Sequence, residues 1–544
     1  DDREMEKTVF SGIKEKYDNI DKRIKMCFLS AFICGLFAHI YALTNHLYNY
    51  DELWHTPTGF GTGLEVGRWA LSITVWIQKV LFDDCFTIPF INGMLTIILY
   101  AVAACFVVSA LDIKDEFYAI VVGGLMTTFP ALTCRMFFMF TTHYYAIGIA
   151  MAAAGAWIIA KKKLNILKVT VAIALTVYGM AIYQANFTTA VCILVGNLLV
   201  WFITENVELK TAIKKCINYV LYLGACMALF LAGSKIALSI TGKQMETYEN
   251  LDQMGRLSME QLIEGIIRCY KTFFKLPIID VYSMNPNRIV KIAFLICFLV
   301  FLYTFVKVWM MKKEVYLKVL VSLVFAVLPI AVNLIIIMAI SSGTMYSIMV
   351  YEIVFVFIIS IACLEAIRTC NSDITAIPNK MVIDKVETLL NSVTAVMLVI
   401  TVITYIWFAN GNYLAMEYTN QHDNAYYQTL MTQIKSVDGY HADMPITMIG
   451  KPVVDSTYTR QDMIGGTFNI SGKSSTNINA YSSWNIMTRV LGYDPVNRNS
   501  DEEEEYFRGL DEVNDMPCYP SSGSIKIIDD TIVIKFQEPS ELEQ

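Results

Sequence analysis

The chain has 544 residues, 55% of them hydrophobic and 17% charged, with a mean hydropathy of +0.48 and a net charge of −7. A soluble domain is nearer about 45–50% apolar and about 25% charged, so this composition excludes an ordinary soluble protein and implies an integral membrane protein. The acidic balance argues against a nucleic-acid partner. The 13 cysteines stand mostly inside apolar runs with no CxxC or Cys/His spacing, which argues against zinc or redox chemistry.

In chain order, a charged cytoplasmic N-terminus (1–25) precedes the first apolar run, which reads as a first span rather than a cleavable signal. A spanning helix needs about 20 mostly apolar residues. Runs of that kind stand at 26–45, 88–110, 117–134, 142–160, 167–182, 187–203, 217–240, 290–310, 316–340, 345–368 and 389–409, about eleven in all. The fold class expected is therefore an all-α polytopic membrane protein with a small C-terminal α+β domain outside the membrane.

Basic clusters fix the sides, because cytoplasmic loops carry excess Lys and Arg. Lys14, Lys16, Lys22, Arg23 and Lys25, then Lys161 to Lys163, Lys214-Lys215 and Lys312-Lys313, all fall on one side when eleven spans are threaded. The N-terminus is then inside and the tail outside. The apolar stretch 68–82 is only about 15 residues long and carries Lys79, so it is expected to lie on the outer surface. The outer side then holds the loops 46–87 and 241–289, a short loop at 135–141, and a tight turn at Tyr183–Asn186. In the long loop, Met259, Leu262, Ile263, Ile266, Ile267 and Tyr270 recur at helical spacing.

The membrane domain is thus 26–410 and the outer α+β domain 411–544. In that tail 425–437 reads as a helix, 445–450 as a strand, and 525–536 as a hairpin around Asp529-Asp530; the acidic run at 501–506 reads as a solvated loop.

Ionisable groups at the lip of a membrane are costly and so point to function. Asp51 and Glu52 follow the first span, with Tyr48, Tyr50, Trp54 and His55 around them. A carboxylate there can act as a general base toward a hydroxyl; two solvated loop acids are the plainer alternative. Arg68, Arg135, Lys235 and Lys271 place positive charge on the outer side, against the usual bias, and would suit a phosphate. Lys235 could equally snorkel to the interface. Tyr183 and Gln184, with His143 and His55, supply ring and amide groups for a sugar or an acceptor. Glu352, inside the tenth run, is expected to pair with a polar group such as Asn333 or Lys235. Together these residues fit transfer of a sugar from a phosphate-linked lipid to a hydroxyl, the cations stabilising the departing phosphate.

Asp51 after one span, "GRW" at 67–69, "YQ" at 183–184 and an outer tail resemble the Gtr-type (type II) O-antigen glucosyltransferases, polytopic enzymes of the GT-C class. The resemblance covers roughly 26–410 through short motifs. It implies a GT-C-like architecture in the plasma membrane and a polyprenyl-phosphate sugar donor, glucose above all. It also implies a cell-surface glycan acceptor and a catalytic acid in the first outer loop, which falls on Asp51 with Glu52 beside it. The donor phosphate would rest on Arg68 and on Arg135, Lys235 or Lys271. Some relatives need a divalent cation, Mg or Mn, and some do not; no second acidic motif beyond Asp252 and Asp280 supports a metal here, and no other cofactor is indicated. A lipid-linked oligosaccharide flippase and a glycan polymerase are the rival readings, although no internal repeat of the transporter kind is found.

Overall fold

The computed structural model describes residues 18–161, 163–246, 257–341, 343–371, 380–453, 467–473 and 475–538. Lys14, Lys16, Lys162 and Asp252 lie outside them. Two compact units emerge, one formed by residues up to 45 and 60–410, the other by 46–59 and 411–544.

The first unit is helical. Among the described residues nine helices are long and apolar enough to cross a membrane, or ten if one bent pair is counted as a span. The eleven expected runs differ from these for local reasons. The run 117–134 is broken at Phe129, because Pro130 opens a new helix; the pieces Glu116–Thr128 and Pro130–Met136 meet at 41°. The run 167–182 is the helix Ile166–Ile182, at 17 residues short of a full span. The run 316–340 ends at Val332, one turn after Pro329, and restarts as Leu334–Met338. Asn333 at that break donates from Nδ2 to the Pro329 carbonyl at 3.1 Å, replacing part of the lost ladder. The run 345–368 opens in two 3₁₀ turns before its regular helix, Phe355–Asn371. The stretch 68–82 is the 14-residue helix Trp69–Phe82, and the amphipathic stretch of the long loop is the helix Met259–Lys275, closed by a Ser258–Gln261 capping box.

Small residues set the closest packing, since lipid offers no hydrophobic drive for helices to associate. Gly148, in the helix Thr142–Ala160, faces Gly179 in Ile166–Ile182; a Cβ on Gly179 would run into the Gly148 carbonyl. This contact lets Tyr145 and Tyr183 stack, with ring centroids 4.5 Å apart.

The second unit has a three-stranded sheet in the order β1-β3-β2, with β1 Ile446–Ile449, β2 Ile525–Ile528 and β3 Thr531–Lys535. β2 and β3 form the antiparallel hairpin, turned by Asp529 and Asp530 in the left-handed region at φ 48° and 54°. β3 runs parallel to β1 and is buried along its whole length. One core cluster joins Tyr427, Leu430, Ile446, Ile532 and Ile534 to Tyr48 and Leu53, so the segment 46–59 is built into this unit. A smaller cluster gathers Ile449, Phe507, Val513 and Val533. Truncating a buried residue such as Ile532 to Ala should cost about 2–5 kcal/mol.

Two expectations about the tail change. The predicted helix at 425–437 is no separate element but the end of a 56-residue helix, Lys380–Lys435, that begins before the last apolar run. The acidic run is the helix Asp501–Arg508, not a loop: Ser500 caps it, and its acids fill the first turn, where the helix dipole favours negative charge.

Candidate active site

The "GRW" segment begins with a turn. Gly67, at φ +79°, caps the 3₁₀ turn Leu64–Val66 in a conformation open to glycine and strained for other residues. Gln184 holds the turn by donating from Nε2 to the Val66 carbonyl at 2.7 Å. The chain then delivers the Arg68 guanidinium 5.1 Å from the centre of the Tyr183 ring and 5.9 Å from that of Tyr145. Arg68 Nη1 donates to Tyr145 Oη at 3.2 Å, while its buried Nε–H has no hydrogen-bond partner.

Arg135 reaches the same Tyr183 ring, its guanidinium 5.6 Å from the centroid, and stands 5.2 Å from the Tyr351 ring. It is fully buried. It donates from Nη1 to Tyr100 Oη and from Nε to the Ile348 carbonyl at 3.2 Å, but Nη2 has no partner. Two guanidinium groups therefore share one tyrosine ring, and each keeps an unmatched buried N–H. Buried polar groups are nearly always matched, and a guanidinium N–H is the kind of donor from which an anion's oxygen accepts.

Glu352 follows Tyr351 in the same 3₁₀ turn and is also fully buried. Thr189 donates to its Oε1 at 2.7 Å, and Oε2 has no hydrogen-bond partner. Neither Asn333 nor Lys235 pairs with it: Asn333 is spent on backbone carbonyls and Lys235 is exposed. Arg135 is the cation whose charge acts on this carboxyl, without a direct ion pair between them.

The other sequence-selected residues stand apart from this cluster. His143 Nε2 contacts Gln78 Oε1 at 3.3 Å, and Tyr144 donates to the same oxygen at 2.7 Å. Lys235 and Lys271 are exposed on their helices. Among the described residues no group of three or more His, Cys, Asp or Glu converges as metal ligands would.

Asp51, Glu52 and His55 belong to the second unit. Asn49 Oδ1 accepts from the backbone N–H of Asp51 at 3.1 Å and of Glu52 at 2.8 Å, which pins the turn. Glu52 is buried, whereas Asp51 is partly open and accepts a hydrogen bond from Tyr481 Oη at 3.3 Å. Burial raises the Asp51 carboxyl above its usual range, and the Tyr481 bond partly offsets this. Trp54 lies 5.2 Å and Tyr50 6.5 Å from the Tyr481 ring, so the carboxyl sits among aromatic faces. Arg489 braces the segment through the Trp54 and Thr56 carbonyls, at 2.6 and 3.1 Å. His55 is held below its usual range by burial and by the charge of Arg489.

Sequence reasoning missed Tyr100, Tyr145, Tyr351 and Thr189, which lie in apolar runs where such residues ordinarily read as packing. A family model described as glucosyl transferase GtrII matches residues 40–357, more than half of the chain. That stretch contains both arginines, Tyr183, Glu352 and Asp51. No curated protein and no solved structure matches the chain.

Proposed function

Because the chain belongs to the glucosyl transferase GtrII family and is a glycosyltransferase, we propose that it transfers glucose from a polyprenyl-phosphate donor to a hydroxyl of a cell-surface glycan. The observation that carries this reading is the Arg68–Tyr183–Arg135 arrangement with its two unmatched N–H groups. A phosphate oxygen is the acceptor both lack, and arginine binds phosphate through paired, directional N–H bonds. Glu352 balances the charge of Arg135, whose guanidinium is oriented by Tyr100 Oη and the Ile348 carbonyl. The multi-pass helices lie in the plasma membrane, the lysine-rich ends facing the cytoplasm and the second unit facing outward.

In the reaction, the acceptor oxygen bonds to the anomeric carbon as the carbon–oxygen bond to phosphate breaks. The bonding pair leaves with the lipid phosphate, whose growing charge the two arginines stabilise. The acceptor proton passes to a carboxylate. The resemblance to the family's first-loop acid gives this role to Asp51, whose raised affinity for a proton makes it a stronger base than an ordinary aspartate and whose flanking aromatics suit a sugar face. Glu352 is the second reading for the base, on the strength of its free Oε2.

The test is transfer of labelled glucose from polyprenyl-phosphate glucose to envelope glycan by purified protein in nanodiscs. Wild-type protein should transfer, and Arg135→Lys and Asp51→Asn should not. Loss in Glu352→Gln with activity kept in Asp51→Asn would move the base to Glu352. Full transfer by Arg135→Lys would refute the phosphate site.

A further inference from the structure

The first unit contains a cavity of about 1070 Å³ lined by residues of the lysine-rich helix ends, at the top of the about 300–1,000 Å³ range of small-molecule pockets. Lys161, Lys214 and Lys215 bring positive charge, and Trp157 and Trp201 form its aromatic walls. Lys161 Nζ lies 3.4 Å from the Trp157 ring centre, and Lys215 Nζ 4.1 Å from that of Trp201. Lys214 and Asn218 stand one turn apart on the helix Leu209–Thr241 and both line the space. Asp112 and Glu205 contribute carboxylates, but Asp112 already meets Lys114 at 3.4 Å and Arg23 at 3.7 Å. The cavity therefore has a positive field.

We propose that this cavity binds a phosphate group, carried by an anionic membrane lipid. The phosphate sits between Lys214, Lys215 and Lys161, and Asn218 supplies an amide hydrogen bond. Three features favour a lipid. Leu164 and Leu221 line the space and are 41% and 64% exposed, so apolar surface continues outward from it. The two tryptophans are of the kind that sits at the headgroup level of a bilayer. Basic pockets between spanning helices at a lysine-rich face are a recurrent form of anionic headgroup site. None of these residues belongs to the arginine cluster, so the site is separate from the proposed donor site.

The test is native mass spectrometry of the full chain released from detergent after exchange into phosphatidylglycerol or phosphatidylcholine. Wild-type protein should retain phosphatidylglycerol preferentially. Lys214→Glu should reduce retention at least about tenfold, since it removes one positive charge and adds a negative one beside the phosphate. Asn218→Ala, which keeps the charge, should reduce it less, and Arg68→Ala should leave it unchanged. A parallel arm offers inorganic phosphate alone; its binding to wild type but not Lys214→Glu, with no lipid retained, would assign the phosphate to a soluble source. Equal retention of both lipids, or retention unaffected by Lys214→Glu, would overturn the proposal. An unchanged melting temperature in each variant excludes misfolding as the cause.

Discussion

The two units offer carboxylate and cation chemistry in opposite styles. In the first, Arg68, Arg135, Tyr183 and Glu352 come from four distant parts of the chain and are mostly buried. The proposed phosphate site rests on the unmatched N–H groups of the two arginines. In the second, Asp51, Trp54 and His55 lie within five consecutive residues and are partly or largely open. There an aromatic surround and a raised carboxyl carry the signal. Charge inside the first unit sits among buried hydrogen-bond partners; on the second, burial raises Asp51 and one tyrosine partly offsets it.

Several substitutions sharpen this contrast. Asp51→Asn should lower glucose transfer about 100- to 10,000-fold, as loss of a general base does, with the fold intact by circular dichroism. Arg135→Lys should lower transfer about 100- to 1,000-fold, because a point ammonium cannot reproduce the planar fork whose separate nitrogens reach Tyr100, the Ile348 carbonyl and a phosphate. Gly148→Ala should push its helix off Ile166–Ile182 and part the stacked Tyr145 and Tyr183; a displacement near 1 Å can cost up to about 100-fold. Tyr481→Phe should have the smallest effect. Its hydroxyl favours the ionised Asp51, so its loss raises that carboxyl further. The acidic limb of the pH–rate profile, which follows ionisation of the base, should then move to higher pH.

How much of this was legible in the sequence follows the same division. "GRW" and "YQ" were readable, and the fold explains why they act together: Gln184 holds the turn that aims Arg68 at Tyr183. Arg135 was visible as a cation in an apolar run, but Tyr100 and Tyr351 were not, since an aromatic in a span signals packing until its hydroxyl or ring is seen against a guanidinium. Lys235 and Lys271 looked equivalent to the arginines because hydropathy does not reveal which helix face a residue occupies; both are exposed. Asp51 was read as part of a membrane-domain loop, yet Tyr48 and Leu53 on either side of it are core residues of the second unit. That pairing spans several hundred residues and leaves no local pattern. In the tail, β1 and the hairpin were readable from β-rich runs and Asp529-Asp530. The helix at 501–508 was not, because its acids look like solvated charge until Ser500 is recognised as their cap.

The most direct measurement of the central claim is the affinity of a non-transferable polyprenyl phosphate for the full chain in nanodiscs. Wild type is compared with Arg68→Ala/Arg135→Ala and with Asp51→Asn. The double arginine variant should bind about 100-fold more weakly or worse, at about 1.5–3 kcal/mol per charged hydrogen bond lost, while Asp51→Asn should bind as wild type. Equal affinity in all three proteins would contradict the assignment of the donor phosphate to the two arginines.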